Sequence, residues 1–497
     1  MRRFSVLTIL GAFTLGACAD DTTAPVSTPA PRSPSPSVGG SGGASDTYLV
    51  RFRGNGVPDG FAADIARLGG EVIFAHPIGI AAVAGLDDKD AAALARIAGV
   101  AAVDADAYVT LDESAGEVTA DVGTASPSDP TTSAAYARQW NMRAIGANLA
   151  WAAGQLGSPT VRVGVLDTGI DYLHPDLFGR VDLTASRSYL SAAENARVPA
   201  GAHVIADLHY HGTHVAATIA SNGLAAAGVT SRVTLVGLKV CAPGTPANGF
   251  TAGCPVSSTL AAILDAADMG LDVINMSLGG AFRRVDGSAR GGFGPSFVAT
   301  LNQVLNYANR KGTAIVVAAG NSSFDLGRNI VPVQGGTAKL PGLYGLYCDA
   351  PAVICVSATG PTAQASINGP WANVDAFAPY SNFGRGAIDV AAPGGNVSAV
   401  WAACSGFTLV PSLAACRARF FDPATGAWSA FVVGLAGTSM ASAHVTGTAA
   451  IIAGFVGHNP SQIQARLQQT ADDLGQSGND PAYGHGRINV ARAAGVQ

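Results

Sequence analysis

From about residue 136 onward, short runs rich in valine and isoleucine alternate with stretches of helical spacing. The runs occupy residues 161–166, 233–240, 272–276 and 314–318, and the helical stretches include 259–268 and 297–309. Short apolar runs of this kind predict buried strands, and strands that alternate with helices pair in parallel. The sequence therefore predicts an α/β domain, a parallel sheet flanked by helices, over residues 136–497.

Composition and charge exclude several classes of protein. The chain has 497 residues, 48% of them hydrophobic and 13% charged, so it can bury a large core. A formal net charge of −5 shows no basic excess, which argues against nucleic acid as a partner. No uncharged apolar run reaches the roughly 18 residues needed to span a bilayer.

The amino terminus has the pattern of an export signal. Met1 is followed by two arginines and an apolar stretch over residues 4–17. The stretch ends in Leu-Gly-Ala-Cys18, which resembles the lipobox of bacterial lipoproteins, where the signal is cut before the cysteine and its thiol is acylated. Residues 1–18 would then be a lipoprotein signal; the alternative is an ordinary signal with a chance cysteine. Either way we expect an exported protein, extracellular or periplasmic, whose precursor could be anchored to a membrane only by a lipid on Cys18.

Three further segments precede the α/β region. Residues 19–45 are rich in proline, glycine and serine and predict a linker. Residues 46–111 follow the order strand, helix, strand, strand, helix, strand of a small ferredoxin-like α+β domain, closing with one strand over 100–111. Residues 112–135 are acidic, rich in serine and threonine and broken by Pro127 and Pro130. They predict an exposed, cleavable spacer.

Six cysteines follow Cys18, an even number that predicts disulfides in an exported chain. Several pairings are open. Pairing of sequence neighbours would close three short loops, each worth roughly 3 kcal/mol. Buried thiols and a metal site are the alternatives, and no CxxC spacing supports the second. The cysteines are Cys241, Cys254, Cys348, Cys355, Cys404 and Cys416.

Four short segments supply the groups that activate a serine. In chain order they are Asp167-Thr-Gly, His211-Gly-Thr-His, Ala-Ala-Gly-Asn321 and Gly-Thr-Ser439-Met-Ala. A neutral serine hydroxyl is a poor nucleophile and needs a nearby base, for which histidine is suited near neutral pH. A carboxylate on the other ring nitrogen orients the histidine and stabilises its charged form.

Each segment falls where a strand or a helix would hold it. Asp167 follows the strand 161–166, at the carboxyl end of the sheet where open α/β folds place their sites. His211 and Ser439 open the helical stretches 211–220 and 440–455. Asn321 follows the strand 314–318, so its side-chain amide and the Ser439 N–H are candidate donors to an oxyanion.

Two other functions use the same residues. A zinc hydrolase could employ His211 and His214, although no HExxH pattern is present and His214 reads better as a packing or hydrogen-bonding residue. A catalytically silent peptide-binding protein is the second alternative. Binding alone requires none of Asp167, His211, Asn321 and Ser439, so their joint presence favours an enzyme.

The four segments, together with Asp-Val-Ile-Asn-Met-Ser-Leu-Gly-Gly280 and Ala-Pro-Gly394, resemble the subtilisin family of serine endopeptidases. The resemblance implies Asp167, His211 and Ser439 as the catalytic triad and Asn321 as the oxyanion donor. It implies that residues 46–111 are an inhibitory propeptide that also aids folding. It further implies polypeptide substrates, a monomer, and chemistry that requires no cofactor.

The same resemblance suggests where substrate lies. Two segments would present backbone edges on either side of an extended peptide, which binds as an added strand. They are Ser277, Leu278 and Gly279, and Ala318, Ala319 and Gly320.

Two regions depart from the family pattern. Ser221-Asn222-Gly223 is shorter than the loop that holds a tight calcium in many members, so a structural calcium would need other oxygen ligands, such as Asp176. The stretch between Gly394 and Gly437 is long, and we interpret it as a disulfide-tied hairpin near the cleft.

Overall fold

The computed structural model describes residues 38–39, 46–54, 56–111, 115–284 and 293–496. All of them fall within one compact unit, Pro34–Gln497. The predicted signal, Cys18 and nearly all of the predicted linker lie outside the described residues.

The first domain has the predicted α+β order. Its elements are β1 (Tyr48–Phe52), α1 (Phe61–Arg67), β2 (Glu71–His76), β3 (Ile80–Ala84), α2 (Asp88–Leu94) and β4 (Val100–Ala105). The strand order is β2-β3-β1-β4 with antiparallel neighbours, the ferredoxin-like arrangement. Asp87 begins α2 by accepting the N–H groups of Lys89 and Asp90. A small α+β domain therefore precedes the α/β region, as expected.

The single strand predicted over residues 100–111 is wrong, because the chain leaves the small sheet after Ala105. A separate strand, β5 (Tyr108–Leu111), pairs antiparallel with residues 252–255 of the α/β region. Asp106 lies between the two strands, and its buried carboxylate accepts the backbone N–H of Ala107 at 2.8 Å and that of Ser257 at 2.9 Å. The apolar pattern continues across this point and conceals the change of sheet.

Residues 112–135 were expected to form an exposed spacer, but the described part of this stretch is partly buried and contains a strand. Residues 118–123 form β6 (Val118–Gly123), and Pro130, Ser133 and Ala135 are buried. The backbone N–H groups of Ala134 and Ala135 donate to the carbonyls of Leu224 and Ala225. This stretch therefore belongs structurally to the α/β region.

One parallel sheet lies at the centre of the α/β region and confirms the predicted fold class. Its strands are β7 (Arg162–Asp167), β8 (Arg187–Ser188), β9 (Thr234–Lys239), β11 (Val273–Met276), β12 (Ala314–Ala318), β13 (Ile354–Thr359) and β14 (Val390–Pro393). They run in the order β14-β13-β12-β11-β7-β9-β8, and every pair is parallel. A further strand, β10 (Ala252–Pro255), lies outside this sheet and pairs with β5.

Among the described residues, five helices of eight or more residues surround the sheet. They are α3 (His211–Ile219), α4 (Val256–Asp268), α5 (Pro295–Arg310), α6 (Thr438–Val456) and α7 (Pro460–Gln469). Helices α3 and α6 pack in one hydrophobic cluster and α4 and α5 in another, on opposite faces of the sheet. Along β7, Val163 and Val165 enter the first cluster and Leu166 the second, as alternation along a strand requires.

Helix α6 corrects the expectation about membrane-spanning runs. By length and composition alone it could cross a bilayer, but 83% of its most apolar window is buried inside the protein. It contacts β11, β12, β13 and β14. Its apolar character is therefore that of a core helix.

The predicted hairpin between Gly394 and Gly437 forms β15 (Val400–Ala403), β16 (Phe420–Asp422) and β17 (Ala427–Leu435). Strand β17 pairs antiparallel with β15, β16 and β6. The six cysteines after Cys18 pair with their sequence neighbours: Cys241 with Cys254, Cys348 with Cys355, and Cys404 with Cys416. The third disulfide ties the hairpin, as predicted.

Shorter elements connect these parts. They are Val38–Gly39, Pro130–Thr132, Tyr136–Arg138, Trp140–Ala144, Ala147–Ala152, Ala192–Asn195, Pro246–Asn248, Ala281–Arg283, Ile330–Val333, Gly336–Lys339, Leu343–Gly345, Ala363–Gln364, Trp371–Ala372, Pro411–Arg417 and Val490–Ala493.

Candidate active site

A carboxylate and an imidazole meet at the carboxyl end of β7. Asp167 is the last residue of that strand, and its Oδ1 lies 2.8 Å from Nδ1 of His211, the first residue of α3. Both side chains are fully buried. The same Oδ1 accepts the Thr168 N–H at 2.7 Å, which fixes the carboxylate. Because Nδ1 faces Asp167, Nε2 is the ring nitrogen that can exchange a proton with a serine hydroxyl.

Two glycines allow the helix to approach the strand so closely. A Cβ at position 212 would lie 2.2 Å from the Gly169 carbonyl and 3.1 Å from Asp167 Oδ1. Gly169 has φ +117°, and a Cβ there would lie 2.3 Å from the Ile205 carbonyl. A larger residue at position 212 would push α3 away from β7, and one at position 169 would displace the segment 205–207 that leads into α3.

Asp207 holds the start of α3 in place and was missed by the sequence analysis. Its buried carboxylate accepts the Thr168 hydroxyl at 2.8 Å, and the N–H and hydroxyl of Thr213 at 2.9 and 2.6 Å. Thr168 in turn accepts the Gly212 N–H at 2.9 Å. A carboxylate four residues before a helix was the available signal, because aspartate often satisfies the first N–H groups of helices.

A second histidine beside the pair is kept neutral. Burial, together with the neighbouring His211, lowers the pKa of His209 to about 3. A charged His209 would repel the imidazolium that forms on His211 when it accepts a proton. The environment of His209 therefore favours proton transfer to His211.

The structure brings Ser439 to the same end of the sheet. Ser439 is the second residue of α6, and its hydroxyl donates to the Ser277 carbonyl at 3.4 Å. Ser277 follows Met276 of β11, which pairs in register with Leu166, the residue before Asp167. Ser277, which Ser439 contacts, therefore lies beside Asp167 at the end of the neighbouring strand. The segments that carry Asp167, His211 and Ser439 thus meet at one end of the sheet.

The Asn321 amide is oriented by Thr438. Asn321 Oδ1 accepts both the N–H and the hydroxyl of Thr438, each at 2.9 Å. The Thr438 hydroxyl itself accepts the Gly320 N–H at 3.0 Å. With Oδ1 engaged in this way, the Nδ2 donor is held facing away from Thr438. Thr438 is a positioning residue that the sequence analysis did not identify, and its place beside the serine gave no separate signal.

We expect Thr438→Val to lower kcat about tenfold and to change KM little. One of two bonds on Asn321 Oδ1 is lost, so the amide is less well held, whereas losing a whole oxyanion donor costs about 10²–10³-fold. The measurement is steady-state kinetics on a peptide substrate. Thr438→Ser keeps the hydroxyl and should retain activity; equal losses in both variants would contradict the role given to that hydroxyl.

The two predicted substrate segments lie next to each other, and their binding of an extended peptide stays a prediction. A Cβ at Gly279 would be 2.2 Å from the Ala318 carbonyl and 2.4 Å from the Gly320 nitrogen, so the two segments lie side by side. They follow β11 and β12, which are neighbours in the sheet. A different edge, β10, pairs with a strand of the first domain, β5. Strand β10 was not predicted from the sequence, and its residues immediately precede α4.

His214 does not join His211 as a metal ligand. Its Nε2 lies 3.0 Å from the Val400 carbonyl, whereas the Nδ1 of His211 faces Asp167. Burial lowers the pKa of His214 to about 3, so it is a neutral, hydrogen-bonded core residue. Among the residues that the structure describes, no group of three or more His, Cys, Asp or Glu could hold a metal ion.

Asp176, the candidate calcium ligand, is surrounded by donors instead. Its buried carboxylate accepts the N–H groups of Leu224, Ala225 and Ala226 at 2.8, 2.9 and 3.0 Å. A calcium ion binds through the lone pairs of oxygen ligands. In Asp176, three N–H groups already bond to the two carboxylate oxygens. The shortened loop before Leu224 therefore does not fit a calcium at Asp176.

We expect the chelator EDTA to leave the thermal midpoint unchanged, and Asp176→Ala to destabilise by about 3 kcal/mol or more. The substitution leaves three buried N–H groups without their acceptor, at about 1–3 kcal/mol each. Both are measured by calorimetry on Ser439→Ala protein, which avoids self-digestion, with isosteric Asp176→Asn as the matched variant. A midpoint that falls with EDTA in the parent but not in Asp176→Ala would place a cation there after all.

Comparisons with known proteins agree with this geometry. The profile of the subtilase family matches residues 158–486. The chain is 31% identical over 342 residues to the thermophilic serine proteinase of Bacillus sp. (strain AK1), covering 68% of this chain and 62% of that protein. It is 31% identical over 355 residues to subtilisin DY of Bacillus licheniformis, covering 70% and 96%.

A solved structure shows the same fold. The epidermin leader peptide processing serine protease of Staphylococcus aureus superimposes with a TM-score of 0.63 at 19% identity, covering 91% of this chain and 99% of that one. The family profile spans Asp167 at the end of β7, Asn321 in the loop after β12, and the helices that carry His211 and Ser439. The chain therefore belongs to the subtilase family.

Proposed function

We propose that this subtilase is a serine endopeptidase that hydrolyses polypeptides through Asp167, His211 and Ser439. The 2.8 Å contact between Asp167 and His211, in full burial beside the serine-bearing helix, is the observation that carries the proposal. His211 Nε2 takes the Ser439 proton as the hydroxyl attacks the carbonyl, and later gives it to the leaving amine. Water then attacks the acyl-enzyme with His211 again as base. No cofactor is needed for these steps.

The oxyanion that forms during attack would be stabilised by two donors. The Asn321 Nδ2 amide is one, oriented by Thr438. The backbone N–H of Ser439, at the amino-terminal end of α6, is the other. Helix amino termini carry partial positive charge, which favours a developing negative oxygen.

We propose that the protein is made as a zymogen that cuts itself. Leu111 ends β5, which pairs with β10, and the Gly116 N–H donates to the Gly434 carbonyl at 3.0 Å, a few residues before Ser439 in the chain. The attachment of the chain on both sides of this short stretch supports a self-cleaved bond between Leu111 and Gly116. Residues 46–111 would inhibit the enzyme until they are removed.

Export and lipid attachment rest on the sequence alone. If Cys18 is acylated, the lipid belongs to the propeptide side, and self-cleavage releases the catalytic domain unless the propeptide stays bound. Membrane contact would come only through that lipid, and we expect a monomer. Mass spectrometry of the mature enzyme tests this proposal. An active enzyme whose single uncut polypeptide still contains both Cys18 and Ser439 would contradict it.

A catalytically silent binding protein on the same scaffold is the rival function. Labelling with a fluorophosphonate separates the two, because only an activated serine reacts. Stoichiometric label on Ser439 supports the endopeptidase, and its absence from a folded, processed protein supports the rival.

A further inference from the structure

Strand β6 covers the edge of β17 that leads to the serine. Residues 118–123 pair antiparallel with residues 428–433, and two further backbone bonds extend the ladder at Gly434, to Gly116 and Glu117, at 3.0 Å each. The opposite edge of β17 pairs with β15 and β16. Both edges of β17 are therefore occupied.

The ladder between β6 and β17 lies close in the chain to the proposed nucleophile, Ser439. β17 ends at Leu435, four residues before Ser439. Residues 116–123 also lie on the carboxyl side of the bond that we propose is cut. They occupy the edge along which the residues after a scissile bond would pair if a substrate were bound as an added strand.

Contacts independent of the cut bond hold β6 in place. Asp121, 7% exposed, accepts from Arg138 Nη2 at 2.8 Å, and Arg138 Nη1 donates to the Thr119 hydroxyl at 2.5 Å. The Arg138 guanidinium also lies 5.1 Å from the centre of the Trp401 ring. Cleavage before Gly116 breaks none of these contacts.

We propose that, in the processed enzyme, the new amino-terminal strand stays on β17 and competes with substrate for the side of the cleft beyond the scissile bond. The inference rests on the proposed self-cleavage between Leu111 and Gly116. A tethered strand has an effective concentration of about millimolar, so substrates at lower concentration displace it poorly. The preferred substrates are then polypeptides with few residues after the scissile bond, whereas longer ones must first displace β6.

Two fluorogenic peptides with the same residues before the bond test this. One has an aminocoumarin directly after the bond, and the other has six residues after it and internal quenching. The readout is the ratio of kcat/KM, long over short. Asp121→Asn loosens β6, Asp129→Asn is a matched control in an exposed turn, and Val122→Cys with Ser429→Cys staples the strand to its register partner, because Val122 is 65% exposed and pairs with Ser429.

We expect the ratio to rise about tenfold in Asp121→Asn, to fall about tenfold or more when the staple is oxidised, and to recover with mild reductant. Asp129→Asn should match the parent. A ratio that is the same in every form overturns the inference.

Hydrogen exchange on processed protein gives a readout that needs no catalysis. Slow exchange is expected for the alternate amides of residues 118–123 that donate to β17, and rapid exchange of those amides overturns the inference even if Asp121→Asn fails to fold. Failure of the proposed function shows itself differently, as a processed protein that does not react with fluorophosphonate.

Discussion

Replacing Ser439 by alanine is expected to abolish both peptide hydrolysis and self-cleavage. The hydroxyl is the only atom in the arrangement that can form the acyl-enzyme, so the loss should be roughly 10⁶-fold in kcat, a magnitude taken from subtilisin itself. Two measurements check it: turnover of a fluorogenic peptide, and the chain length of the purified protein. The full-length precursor should accumulate uncut.

The control is Ser477→Ala, an exposed serine whose hydroxyl contacts Asp473. That variant should process and turn over substrate normally. Complete processing of Ser439→Ala in a pure preparation would show that another group, or another protease, makes the cut.

Removing the first domain is expected to lower the yield of active enzyme by about tenfold or more. Parallel strands pair between distant parts of the chain and form slowly. The first domain supplies contacts at two helix starts: Asp106 accepts the Ser257 N–H in the first turn of α4, and Asp104 accepts the Ser296 hydroxyl in the first turn of α5. These contacts can order both helices before the sheet is complete.

The experiment compares residues 115–497 with the full chain, by titrating refolded active sites. The starting point matters, because a chain beginning at residue 136 would also lack β6 and the Asp121–Arg138 ion pair. Adding residues 46–111 as a separate chain should restore the yield, and Asp106→Ala in that added chain should restore less. Equal yields with and without the first domain would contradict a folding role.

Much of the fold followed from local patterns. The strands predicted at residues 161–166 and 314–318 appear as Arg162–Asp167 and Ala314–Ala318, and the helix predicted at 297–309 appears as Pro295–Arg310. The two strands are buried on both faces and the helix on one face, so a continuous apolar run predicts each strand and a helical apolar period predicts the helix. The pairing of Asp167 with His211 was also within reach, because each residue stands at an end of such an element.

The missed features depend on partners far away in the chain. Residues 100–111 look like one strand, yet Asp106 divides them because it bonds to Ser257, which is 151 positions later. Residues 118–123 look like a polar spacer, but β17 and Arg138 make them a strand. Thr438 and Asp207 carry no motif, and their roles appear only when Asn321 and Thr168 lie beside them.

By itself, the sequence determined the main strands and helices of the α/β core, the family and the residue types of the chemistry, because each depends on spacing within a few residues. Only the tertiary structure decided which strand covers the edge beside Ser439, which carboxylate holds α3, and that Asp176 meets N–H donors instead of a cation. Those outcomes depend on which buried polar groups from distant segments satisfy one another, and a buried donor or acceptor finds its partner only in the folded chain.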